Sequence, residues 1–280
     1  MEPLVSTSWL AKEMGACDLR IVDATKYVAA PERDARAEYL ASHIPGAVFM
    51  DLAELVDTQQ PVENMAPTAE KFASRMQSLG LGDGSRIVLY DNSPHKSAAR
   101  AWWLLTLFGA HNVAILDGGF AKWLAEERPV ESGNITLRHR HFTVWRDGKL
   151  VRDKTAVHAN IASRDEVLVD ARASDRFTGA AADMRPQLAV GHIPGSRNMP
   201  FGLFFNPDGS WKQGAALEAA FTEAGVDLAR PLVATCGSGM SACIIAFGAH
   251  LLGKTDIAVY DGSWAEWGAD PATPKATGPA

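Results

Sequence analysis

Short apolar runs recur along this chain, and each gives way to a polar stretch or glycine turn and then to residues with helical spacing. LRIVDA at 19–24 is the first such run; it reads as a strand ending in Asp23, with a short helix expected ahead of it over 9–15. The segment 69–79 has amphipathic helical spacing and stops at Gly80. SRIVLYDNS at 85–93 follows as a strand buried on both faces, then a long apolar helix, then VAILDGGFAKW at 113–123, a final strand running into Asp117 and Gly118. The second half repeats the pattern. VLVDAR at 167–172, RPLVATCGS at 230–238 and IAVYDGSWAEW at 257–267 are strands of the same kind. Between the last two, some twelve apolar, helix-permissive residues run from Ser241 to Gly253.

The correspondence is a duplication. Asp23 returns as Asp170 after 147 residues, and His43 of SHIPGAVFM returns as His192 of GHIPGSRNM after 149. Asp91 falls opposite Cys236 at 145, and the two Asp-Gly strands match at 144. A period of that size is a domain rather than a solenoid repeat. Strands alternating with helices imply an α/β fold, with two tandem domains that each cover a parallel sheet with helices on both faces. We expect a first domain over 1–130, a polar linker over 131–150, a second domain over 151–270 and a tail, 271–280, low enough in hydrophobics to be disordered.

Composition narrows the function classes. A length of 280 residues suits two domains, and 47% hydrophobic with 21% charged residues is ordinary for a globular chain. A net charge of −6 offers no broad basic surface for nucleic acid or anionic lipid, so an anionic small substrate must be met by a few local arginines. MEPLVSTSWLAKEM carries neither a charged n-region nor an apolar h-region, and no run approaches the ~18 apolar residues of a membrane span. Three cysteines, Cys17, Cys236 and Cys243, show no paired spacing, which argues for a reducing compartment and a cytoplasmic protein.

The candidate chemistry sits at Cys236. A strand, a tight Gly-Ser-Gly loop and a helix place its thiol above the amino end of that helix, where N–H groups converge and the dipole favours a thiolate. A lone cysteine at a strand end is more often core than catalyst; the glycine loop and helix tip the balance toward a nucleophile. The first copy has Asp91 at this place and no thiol, so that copy is expected to be non-catalytic. His43 and His192 are expected to bond nearby backbone, the strand-end aspartates to cap loops, and Trp102, Trp103, Trp123, Trp264 and Trp267 to anchor packing.

The duplicated unit, the paired His-Ile-Pro-Gly turns, the Asp-Gly ends at 117–123 and 261–267, and a reactive cysteine in the second copy alone resemble the two-domain rhodanese-type sulfurtransferases over nearly the whole length. That resemblance implies five-stranded parallel sheets and an active site at the domain interface. Gly237 and Ser238 stand where thiosulfate-type members carry basic residues; Cys-Gly-Ser-Gly-Met-Ser is similar to the 3-mercaptopyruvate subgroup. It implies Cys236 and Ser238 as catalytic residues, with Arg176, Arg185, Gly237, Gly239, Met240 and Ser241 as substrate-binding ones. A persulfide on Cys236 would pass sulfur to a thiol, thioredoxin or cyanide, with no metal or organic cofactor. Some members back the loop serine with an Asp and a His; the aligned positions here are Ala53 and Asn64, with Asp51 two residues before the former. Two other readings stand beside this one: a thiosulfate donor, and a non-enzymatic persulfide relay module. A cysteine phosphatase is disfavoured, because Ala242 occupies the place of the phosphate-clamping arginine.

Overall fold

The computed structural model describes every residue except Ala29, Pro31 and Ala280. The chain forms two compact units: Met1–Val56 with Ala66–Asp147 and Phe205–Trp211, and Asp57–Met65 with Gly148–Phe204 and Lys212–Ala280.

In the first unit the elements are β1 Leu4–Val5, α1 Thr7–Glu13, β2 Leu19–Asp23, α2 Ala35–Ala41, β3 Val48–Phe49, α3 Ala69–Ser78, β4 Arg86–Tyr90, α4 Ala98–Leu107, β5 Val113–Leu116 and α5 Gly119–Ala125. The second runs β6 Val151–Arg152, α6 Lys154–Ser163, β7 Val167–Asp170, α7 Ser174–Thr178, β8 Arg197–Asn198, α8 Gly214–Glu223, β9 Leu232–Thr235, α9 Ala242–Leu251, β10 Ile257–Tyr260 and α10 Ser263–Trp267. The sheets have one topology, β1-β5-β4-β2-β3 and β6-β10-β9-β7-β8, and every pairing is parallel. The duplicated sequence is therefore a duplicated fold. Both central strands, β4 and β9, are apolar because flanking helices remove both sheet faces from water.

Two features depart from the sequence expectation. First, the segments 57–65 and 205–211 cluster with the unit opposite to their half of the chain. Shifting the first by the 147-residue offset lands it on the second, so the exchange is reciprocal between equivalent segments. Second, the tail is ordered over 271–279, in contrast to the disorder expected of it. Trp267 Nε1 donates to the Pro274 carbonyl at 2.8 Å, Ala276 pairs antiparallel with His192, and Gly278 N donates to the Thr178 carbonyl at 2.8 Å. Its composition misleads because main-chain bonds, one indole and the buried Thr273 hydroxyl, which donates to the Trp267 carbonyl at 2.6 Å, hold it with little apolar area needed. Residue 280 lies outside the described residues.

The same closure ends the first copy. Trp123 Nε1 donates to the Pro129 carbonyl at 2.7 Å, and Glu131 pairs antiparallel with His43. The tail is thus the last piece of the repeat, and its counterpart is the start of the stretch expected as linker. That stretch packs on the first unit: Phe142 is buried edge-on against Phe72, and Thr143 N donates to Asp83 Oδ1 at 2.8 Å.

The two His-Ile-Pro-Gly histidines have the structural role expected of them. His43 stacks on Tyr39 and His192 on Phe177, and each Nδ1 lies at 2.7 or 2.8 Å from the carbonyl of that same aromatic residue. A carbonyl only accepts, so Nδ1 carries the proton in both.

Candidate functional site

β9 lies inside its sheet between β10 and β7, so its carboxyl end opens mid-sheet, where parallel sheets gather ligands. Cys236 is the first residue beyond it and is 1% exposed. The loop turns through Gly239, whose φ of +76° strains any residue with a Cβ, and delivers Ser241 at the helix cap. α9 is apolar on all sides, with Ala242 through Ala249 buried, so the helix and the loop it carries are fixed by packing. Met240 is buried, while Gly237, Ser238 and Ser241 are half-buried. Among the described residues, the N–H groups of Gly237, Ser238, Met240 and Ser241 meet no protein acceptor. Cys243 faces the core, as its position on the helix predicts, and its Sγ donates to the Gly239 carbonyl at 3.2 Å.

Ser263 organises this loop and was not singled out in the sequence. Its Oγ accepts the N–H groups of both Cys236 and Gly239 at 3.2 Å and donates to the Tyr260 carbonyl at 2.8 Å. The same oxygen is 4.0 Å from Cys236 Sγ. Its φ is +50°, a left-handed backbone that costs a non-glycine residue roughly 1–2 kcal/mol. The first unit shows what the position prefers. There Phe120 N donates to the Asp91 carbonyl at 3.0 Å, as Trp264 N does to the Cys236 carbonyl at 3.0 Å, and the residue before Phe120 is Gly119 at φ +59°. A Cβ on Gly119 would sit 2.5 Å from the Asp91 oxygen. Glycine is the unstrained choice, and the second copy carries a hydroxyl there instead. The aligned pair DGGF and DGSW held this signal: a serine replacing a glycine needed for positive φ is present for its side chain.

Arg185 reaches the loop directly, its Nη2 donating to the Gly237 carbonyl at 3.2 Å. Asp183 braces the same guanidinium, with Oδ1 accepting from Nε at 2.9 Å and Oδ2 from Nη2 at 3.2 Å. Burial pushes the Asp183 carboxyl up, but the hydrogen bonds and charge of Arg185, with the charge of Arg176, outweigh it and hold the group below its ordinary value. The second Arg185 amino group pairs with Glu63. Arg176, on the short helix α7, has no ion pair among the described residues. Arg185 contacts Asp183 directly, whereas Arg176 acts on that carboxylate only through its charge.

The Ser238 hydroxyl has no hydrogen bond within the protein among the described residues. The aligned relay positions offer none of the missing chemistry. Ala53 gives its N–H to Asp51 Oδ1 at 2.8 Å, which makes Asp51 a turn cap, and Asn64 sits at φ +61°. A cavity of about 510 Å³ in the second unit is lined by Glu63, Lys154, Arg185, Leu188, Glu266 and Asp270 among others. It meets Arg185 rather than the thiol.

In the first unit the equivalent loop is built around Asp91, whose carboxylate accepts Ser93 N and Ala98 N, both at 2.9 Å. Burial pushes this carboxyl above its ordinary value, with Lys96 pulling the other way. It caps α4 and presents no nucleophile.

A family model described as the rhodanese-like domain matches residues 6–126 and 153–270. The 3-mercaptopyruvate sulfurtransferase of Rattus norvegicus is 40% identical over 270 residues, which span 94% of this chain and 91% of that protein. The thiosulfate sulfurtransferase of Cricetulus griseus is 41% identical over 273 residues, with the same coverage of each. Among solved structures, SseA from Escherichia coli, described with the rhodanese fold and mechanism of 3-mercaptopyruvate sulfotransferases, superposes with a TM-score of 0.86 at 32% identity, covering 94% of this chain and 99% of its own. Two matched domains, two five-stranded parallel sheets of one topology and full-length relatives lead to one conclusion: this chain belongs to the rhodanese family and carries a rhodanese-like domain in each half.

Proposed function

We propose that the chain is a sulfurtransferase that takes sulfur from 3-mercaptopyruvate onto Cys236 and passes it to a thiol. The relatives alone do not choose the donor, because proteins of both donor names match at 40% and 41% identity. The loop chooses. Gly237 and Ser238 present no cation beside the thiol, while Arg176 and Arg185 offer guanidinium groups suited to a carboxylate beside a carbonyl.

In this reading the Cys236 thiolate attacks the donor's sulfur, the S–C bond breaks, and its electron pair leaves with the carbon as pyruvate enolate. Arg176 and Arg185 hold the keto acid and stabilise the enolate charge. The enolate takes a proton from water or from the donor's own thiol, since Ser238 has no relay behind it and supplies one hydrogen bond. The unpartnered loop N–H groups and Ser263 then face the persulfide. An acceptor thiolate attacks its outer sulfur, and Cys236 leaves as thiolate. A reduced dithiol protein such as thioredoxin fits this second step, and the need for reduced thiols fits a cytoplasmic setting. No helix among the described residues is long and apolar enough to cross a membrane.

Initial rates with 3-mercaptopyruvate, thiosulfate and p-nitrophenyl phosphate test the donor assignment. We expect kcat/KM to favour 3-mercaptopyruvate over thiosulfate by at least about tenfold, roughly 1.4 kcal/mol of transition-state binding, with no phosphatase activity. Equal or reversed values would place the chain with the thiosulfate donors, and no turnover of any donor would leave the relay module.

Ser263 gives a second test. Ser263→Gly relieves the left-handed strain but strips the acceptor from two buried N–H groups, at about 1–3 kcal/mol each. Ser263→Ala strips the acceptor and keeps the strain. The expected order of thermal stability is wild type, then Gly, then Ala, and kcat/KM of the glycine variant should fall by roughly tenfold or more. A glycine variant with wild-type activity would show that the hydroxyl is dispensable.

A further inference from the structure

We propose that Glu63 is a specificity-determining residue of this site: its carboxylate holds the Nη1 group of Arg185 that a donor's carboxylate must take, so that donor binding is an exchange of one carboxylate for another. This rests on the reading of Arg185 as the substrate's anchor. A guanidinium has five N–H donors in a planar fork and offers a carboxylate two edges. The Nε–Nη2 edge of Arg185 is occupied by Asp183, at 2.9 and 3.2 Å. On the remaining edge, Nη2 also serves the Gly237 carbonyl at 3.2 Å, and Nη1 is paired with Glu63. Nη1 is therefore the donor that a ligand's carboxylate can take, and only in exchange for Glu63, because Nη2 is committed to Asp183 and Gly237.

Burial decides which carboxylate gives way. The Asp183 side chain is 5% exposed, so unpairing it would strand a charge away from water. The Glu63 side chain is 54% exposed and returns to water when displaced. An exposed pair of this kind contributes little to stability, which suits a contact that must open each turnover. The segment carrying it is a closed loop, with Asp57 N donating to the Met65 carbonyl at 2.9 Å and Asp57 Oδ1 accepting Gln59 N at 2.9 Å. Glu63 also lines the 510 Å³ cavity that Arg185 borders, so the displaced carboxylate and the arriving ligand share one chamber. The consequence is a screen: a neutral thiol gains nothing by displacing Glu63, whereas a carboxylate-bearing donor replaces its charge on Arg185.

Glu63→Gln keeps the side chain's size and removes the competing charge. Binding of pyruvate, and of methyl pyruvate as the version without a carboxylate, is measured by calorimetry, alongside KM for 3-mercaptopyruvate. The expected result is a Kd for pyruvate and a KM both lowered about two- to fivefold, the scale of an exposed ion pair, with the methyl ester unaffected. The gain should appear in KM rather than in kcat. Arg185→Lys separates a failure of the Glu63 contact from a failure of the Arg185 anchor. If Arg185→Lys weakens pyruvate binding and Glu63→Gln leaves it unchanged or weaker, the inference about Glu63 is overturned and the substrate reading stands. If Arg185→Lys leaves pyruvate binding unchanged, the substrate reading itself fails and Glu63 has nothing to compete for.

Discussion

Cys236→Ser is expected to abolish sulfur transfer, with kcat/KM for 3-mercaptopyruvate reduced by about 10⁴-fold or more. A serine hydroxyl at neutral pH neither ionises usefully nor holds a transferable sulfur. The other cysteines give the contrast. Cys17 is exposed in the first unit, far along the chain from the loop, and Cys17→Ser should keep most of the activity. Cys243 is fully buried and spends its S–H on the Gly239 carbonyl at 3.2 Å. A serine there still donates to that carbonyl, so Cys243→Ser should keep most of the activity too. Steady-state rates for the three variants check this, with circular dichroism to confirm folding. Substantial turnover by Cys236→Ser would move the nucleophile elsewhere.

Arg185→Ala carries the next largest expected effect. It removes the substrate's charged partner, takes a hydrogen bond from the Gly237 carbonyl and leaves Asp183, 5% exposed, without its brace. A charge-assisted hydrogen bond contributes about 1.5–3 kcal/mol, so kcat/KM should fall by roughly ten- to a hundredfold or more. The stranded Asp183 carboxylate and the lost ligand contact both lower activity in this variant. The double variant Asp183→Asn/Arg185→Ala removes the stranded charge; the loss in kcat/KM should persist while thermal stability recovers. Recovery of activity in the double variant would assign Arg185 to structure and not to substrate.

The fold was legible in the sequence because duplication displays each element twice. Neither copy alone would have secured the strand-end aspartates or the boundaries of β4 and β9; their recurrence at one offset did. The nucleophile's setting was legible for a local reason, since strand, glycine loop and apolar helix are contiguous. What escaped notice was held by residues distant in sequence. Ser263 acts on a loop 27 residues before it. Glu63 reaches Arg185 across 122 residues. The tail over 271–279 is ordered by main-chain bonds to Thr178 and His192, which leave no trace in hydropathy. Asp183 is the exception: it lies two residues from Arg185, and the Asp-x-Arg spacing that lets it brace that fork was open to view.

Transfer by this route requires that the sulfur rest on one cysteine as a persulfide. Mass spectrometry of the intact protein after brief exposure to 3-mercaptopyruvate without acceptor, followed by peptide mapping, tests it most directly. A single added sulfur atom is expected, located on Cys236 and removed when a dithiol is supplied. An added sulfur on Cys17 or Cys243 with none on Cys236, or turnover with no sulfur retained on the protein, would contradict it.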